Sequence, residues 1–145
     1  MLQARIHGPG DVRVDEVPEP DPGARDVVVR VHACGICGSD LSYIRMGGVA
    51  GPGPEPMCLG HEVSGTVEVA GAEVRSVAVG DRVVVRPGTD ALGRIGNGTP
   101  EGGLTPWLLV TEADARGVYR IPESLSLDAA AFAEPLAVGM HAVEQ

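Results

Sequence analysis

Cys37, Ser39, His61, Glu62 and Glu134 are the side chains in this sequence whose types and placement could do chemistry together. A thiolate, an imidazole and carboxylates are the groups that ligate a divalent zinc ion, and three protein ligands with one open position make a catalytic centre, not a structural one. Cys37, His61, Glu62 and Glu134 offer such a set from three separate stretches of chain. Taken singly, each has a plainer reading. His61 reads as a structural histidine, Glu62 as a surface acid, Glu134 as part of a helix cap and Ser39 as an N-cap. Only convergence would make them a site.

Composition limits what else the chain can do. The formal charge is −9, and the 11 basic residues are all arginines spread along the chain. No basic cluster exists to follow a nucleic-acid backbone or to anchor to a membrane surface, so neither partner is expected. Without lysine, Schiff-base chemistry is excluded. Three cysteines, Cys34, Cys37 and Cys58, are an odd number, and the first residues lack the apolar core of a signal peptide. No apolar run reaches the length of a membrane span. These features predict a cytoplasmic, reducing setting with free thiols.

The 145 residues suffice for one domain with a real core. Aromatic residues make up only 3% of the chain, so that core must be built from Val, Ala, Leu and Ile, which favours thin sheets. Leu2, Ala4 and Ile6 alternate with polar neighbours, Gly8-Pro9-Gly10 turns, and Val12 and Val14 alternate again, predicting a β-hairpin. Strands are expected over 26–33, 63–69, 81–86, 104–111 and 116–121. A short helix is expected over 39–45, with Ser39 as its cap. The Gly- and Pro-rich stretch 47–56 reads as a loop long enough to be a lid, and 87–103 as an irregular excursion. The whole reads as a partly open, mainly β barrel with short helices.

At Ser126 the pattern becomes helical, which sets residues 1–125 apart from a helical segment, 126–145. Pro135 disfavours helix at Glu134, so Glu134 is expected at a break between two helical pieces, with the second running over 136–144. That helix meets no stop signal before Gln145, so the chain reads as cut.

Four motifs then carry a resemblance. His32-Ala33-Cys34-Gly35-Ile36-Cys37-Gly38-Ser39-Asp40-Leu41, Gly60-His61-Glu62-Val63-Ser64-Gly65 with later Gly71 and Val74, Val79-Gly80-Asp81-Arg82-Val83, and Glu134-Pro135-Leu136-Ala137-Val138 occur in order across nearly the whole chain. Together they resemble the zinc-containing medium-chain dehydrogenase/reductases, and the last is most similar to the polyol, threonine and butanediol dehydrogenases. The resemblance implies an N-terminal GroES-like β-barrel domain that helps oxidise a secondary alcohol or polyol, or reduce the ketone, with NAD or NADP. It implies Cys37 and His61 as ligands of one catalytic zinc, with Glu62 and Glu134 ligating directly or through water. It implies Ser39 as the hydroxyl that meets the alcohol and begins a proton relay. A homo-oligomer formed through another domain is also implied.

Three departures qualify these expectations. The excursion after Arg86 has none of the four cysteines that hold a second, structural zinc in many relatives. Ser42 stands where relatives commonly place a relay histidine, so a proton would leave by another route. No Gly-x-Gly-x-x-Gly turn occurs between a strand and a helix, so the nicotinamide cofactor is expected to bind outside this chain. The Cys34-x-x-Cys37 pair lacks the second pair of a zinc ribbon and the βαβ context of a redox motif. Cys34 is therefore expected to be a buried thiol. Cys58 is expected likewise, with a substitute-ligand role as its alternative. Two rival functions remain: an isolated zinc-binding module or pseudoenzyme, and a co-chaperonin-like ring protein, which would have no use for Cys37, His61 and Glu134.

Overall fold

The computed structural model describes residues 1–88 and 94–144. Residues 89–93, in the middle of the irregular excursion, lie outside that range. The expected hairpin forms from β1 (Leu2–Gly8) and β2 (Asp11–Glu16), with Ala4 opposite Val14 and Ile6 opposite Val12. A two-residue strand, β4 (Met57–Cys58), pairs with the far edge of β1 and gives the sheet order β2-β1-β4. Ile6, Met57 and Leu59 bury a small apolar cluster there.

The second sheet carries the main core. It contains β3 (Val27–Gly35), β5 (Glu62–Ala70), β6 (Arg82–Val85), β7 (Trp107–Val110) and β8 (Val118–Arg120), in the order β7-β3-β5-β6-β8. Every pairing is antiparallel. Val27, Val29, Val63, Val67, Val83, Val85 and Val110 fill its buried face. Each fully buried side chain of this kind stabilises the fold by about 1.5–3 kcal/mol. The expected valine-rich core is thus present, and the two sheets are open and do not close into one barrel.

Among the described residues four helices accompany them: α1 (Gly38–Met46), α2 (Ala113–Arg116), α3 (Leu127–Ala130) and α4 (Ala133–Val143). Three expectations about element ends need correction. Ser39 does not cap α1. Cys37 holds the N-cap position in extended backbone, and Asp40 closes the cap by accepting the Cys37 N–H at 2.8 Å. The strand expected from residue 116 starts at Val118, because Arg116 belongs to the last turn of α2.

Ser126 does cap α3, its hydroxyl accepting the Ala129 N–H at 3.1 Å. The break between the helical pieces falls at Ala131 and Phe132, two residues earlier than expected. Glu134 is therefore helical, in the first turn of α4. Pro135 is tolerated beside it because N–H groups of a first turn have no intrahelical partner to lose. The Ser64 hydroxyl donates to the Leu127 carbonyl at 2.6 Å and docks α3 against β5. Among the described residues no helix is long and apolar enough to cross a membrane.

Candidate metal centre

Three local structures deliver the donor side chains to one place. β3 ends at Gly35, and the chain turns at Cys37 into α1, so the thiol projects from a strand-to-helix corner. Gly60 turns the chain just ahead of β5 with φ +88, and a Cβ there would lie 2.7 Å from Cys34 Sγ, so glycine is required on both counts. His61 follows the turn and Glu62 opens β5. Antiparallel pairing places Glu62 opposite Gly35 and brings both strands' ends to the Cys37 corner.

The outcome is a group in which one potential ligand atom each from Cys37, His61 and Glu62 lies within 4.8 Å of the others. It is the single cluster of this kind among the described residues. His61 and Glu62 are buried and Cys37 is half-buried, so the site is partly shielded yet reachable. Glu134 stands outside this set. It is half-buried on α4, within electrostatic reach of His61 and Glu62, and burial raises its pKa; Glu62 adds to that rise and His61 opposes it.

Charge favours the ligand form of Cys37, whereas the proton on His61 must leave before that ring can bind a metal. The hydroxyl and N–H of Ser39 beside the sulfur hold the Cys37 thiol below its ordinary pKa, with His61 assisting. A thiolate, the metal-binding form, is thereby favoured. Ser39 thus faces the Cys37 sulfur. Ser42 spends its hydroxyl on the Gly38 carbonyl at 3.1 Å, one turn back along the helix.

Asp40 is the residue whose role sequence reasoning missed. It is 1% exposed, and one oxygen accepts the Cys37 N–H at 2.8 Å while the other accepts the Gly60 N–H at 3.3 Å. It therefore ties together the two segments that carry Cys37 and His61. Its Oδ1 also lies 3.6 Å from His61 Nδ1, an ion-pair separation longer than a hydrogen bond. That neighbour is the main reason the His61 pKa is pushed up to about 9, against the opposing effect of burial. The helix position three residues after the N-cap was the available signal, because acids there close capping boxes.

The other candidates separate from the cluster. Cys34 is packed behind it, and burial pushes its thiol up to about 12, which makes it inert. Cys58 donates to the Pro100 carbonyl at 2.8 Å and is absent from the cluster. The stretch 47–56 and Trp107 line two other hollows, of about 490 and 340 Å³, neither of which includes a cluster residue. A cavity of about 570 Å³ between α4 and β6 does have Glu134 on its wall, with Val63, Val85, Tyr119 and Ala137.

Known proteins resemble this arrangement. Residues 23–123 match the family described as the alcohol dehydrogenase GroES-like domain. Sorbitol dehydrogenase of Homo sapiens is 37% identical over 158 aligned residues, covering 97% of this chain and 43% of that protein. The crystal structure of 2R,3R-butanediol dehydrogenase from Bacillus subtilis is 31% identical with a TM-score of 0.81, covering 99% of this chain and 47% of that one. Galactitol-1-phosphate dehydrogenase from Escherichia coli is 28% identical with a TM-score of 0.86, covering 99% and 44%. The chain thus spans less than half the length of these relatives.

Proposed function

We propose that this chain, which belongs to the alcohol dehydrogenase GroES-like domain family, is the catalytic-domain portion of a zinc-dependent oxidoreductase acting on a secondary alcohol or polyol. The reaction is oxidation of that alcohol, or reduction of the ketone, with NAD or NADP bound mainly by residues outside this chain. The observation that carries the reading is the convergence of Cys37, His61 and Glu62 within 4.8 Å. One thiolate, one imidazole and one carboxylate are a donor set that suits zinc. His61 Nδ1 is buried facing Asp40 Oδ1 at 3.6 Å, and the ring stands in the cluster with Cys37 and Glu62.

In this reading Cys37 and His61 hold the metal, and Glu62 ligates it directly or through water. When bound, zinc supplies a Lewis acid that lowers the pKa of an alcohol hydroxyl. Asp40 would hold the distance between the two ligand segments and set the charge beside the His61 ring, a role that outer partners play. Ser39 would hydrogen-bond the alcohol hydroxyl and pass its proton onward to solvent, and Glu134 would reach the metal from α4 directly or through water. The acidic surface, the free thiols and the lack of lysine support a cytoplasmic enzyme with a small-molecule substrate and no nucleic-acid or membrane partner. A homo-oligomer assembled through regions beyond this chain is part of the same proposal.

The test is NAD- and NADP-linked turnover of a panel of secondary alcohols and polyols by the full protein that carries this domain. Expected are activity on at least one of them, loss with a chelator, and loss in Cys37→Ser. A zinc-loaded protein inert toward every member of the panel would favour the isolated zinc-binding module.

A further inference from the structure

Glu62 and Gly35 face each other directly across the β3–β5 pair. A Cβ built on Gly35 would lie 1.8 Å from Oε2, 2.9 Å from Cδ and 3.1 Å from Cβ of Glu62, and these are the three nearest atoms it would meet. The Glu62 side chain therefore folds over a bare Cα. Gly35 is not among the glycines with positive φ, so the backbone gives no reason for glycine there. Gly65 on the opposite strand differs, because a Cβ there would strike the Arg30 carbonyl oxygen at 2.3 Å. At Gly35 the two shortest approaches are to the carboxylate end of a flexible arm, and that arm belongs to the metal cluster.

We propose that Gly35 is a positioning residue: the space left by its missing side chain holds the Glu62 carboxylate beside Cys37 and His61. This rests on the metal-centre reading above. Any larger residue at position 35 leaves the strands paired and drives the carboxylate off its place. Glu62 is only 8% exposed, so the protein offers it little room elsewhere. Gly35 thus decides whether Glu62 can serve the metal at all, although it touches neither metal nor substrate.

Four proteins test this: the wild type, Gly35→Ala, Glu62→Ala and the double variant. Each is measured first for thermal midpoint without metal, then for zinc affinity by chelator competition and for the visible spectrum with cobalt(II) in place of zinc. Without metal, Gly35→Ala is expected to lower the midpoint clearly in the wild type and much less in the Glu62→Ala background, where only the 3.1 Å approach to the Cβ at position 62 remains. With zinc, Gly35→Ala is expected to weaken binding about 10- to 100-fold, the range typical of partners that orient ligands. It should alter the cobalt spectrum and have no further effect once Glu62 is removed. Equal shifts in both backgrounds, or unchanged zinc affinity in Gly35→Ala, would overturn the assignment. If the wild type binds no zinc while the metal-free coupling persists, the metal-centre reading fails, and the positioning role fails with it although the steric pairing stands.

Discussion

Two of the three histidine–aspartate pairs among the described residues have opposite character. At the hairpin, His7 Nε2 meets Asp15 at 2.8 Å, with the two side chains 23% and 22% exposed. At the strand-to-helix corner, His61 Nδ1 and Asp40 are 3.6 Å apart, but their exposures are 6% and 2%. The shorter contact is the more dilute one electrically, because water screens charges at a surface and the interior does not. His61 is the ring pushed up to about 9. Only that pair has a thiol and a second carboxylate within ligand distance. Burial and company, not proximity, separate a candidate centre from a surface contact.

The largest effect should come from removing a ligand. Cys37→Ser or His61→Gln is expected to weaken zinc binding beyond the roughly 10- to 100-fold that outer partners are worth, whereas His7→Ala leaves it unchanged. Isothermal titration with competing chelator reads both. Equal losses at the two histidines would erase the contrast.

Next comes Asp40→Ala. It strips the acceptor from the buried Gly60 N–H, worth about 1–3 kcal/mol when left unsatisfied, and from the part-buried Cys37 N–H. A fall in urea stability of that order, with zinc affinity about 10- to 100-fold weaker, is expected. Stability retained at the wild-type level would remove Asp40 from its tying role.

A pH effect follows from the sign of the His61 shift. Its pKa rises from the ordinary 6.5 to about 9 on folding. The protonated ring therefore stabilises the metal-free protein fully below pH 6.5, and this share is lost as pH climbs to 9. Cys37 acts in the opposite sense: its lowered pKa contributes stability above the unfolded thiol value, lost as pH falls through the folded one. The wild-type urea midpoint minus that of His61→Gln, both measured in a Cys37→Ala background that removes the coupled thiol, should decline between pH 6.5 and 9. A flat difference would contradict the buried ion pair. The smallest effect belongs to the hairpin, where Asp15→Ala should cost about 1 kcal/mol or less in the same assay.

Much of this was legible from sequence because local rules and motifs agree. Alternation gave β1 and β2, and the spacing of Cys37, Gly60-His61-Glu62 and the strand-forming runs around them pointed to convergence. Asp40 was overlooked because an acid in a helix's first turn reads as an ordinary cap, and nothing local tells that its other oxygen reaches Gly60, 20 residues on. The cap itself passed from Ser39 to Cys37 because Asp40 could close it from within the helix. Glu134 was misplaced by two residues, since the rule against helix before proline is weakest inside a first turn. The pairing of β3 between β5 and β7, and β4 on β1, are long-range matches that no local pattern encodes.

On the reading proposed above, Cys37, His61 and Glu62 form a zinc centre. Native mass spectrometry of the purified chain, before and after a strong chelator, tests it most directly when paired with a melting curve of each form. One zinc per chain is predicted, with a lower melting temperature after its removal and no zinc retained by Cys37→Ser. A chain that carries no zinc when offered it, and melts identically with and without the metal, would contradict the account.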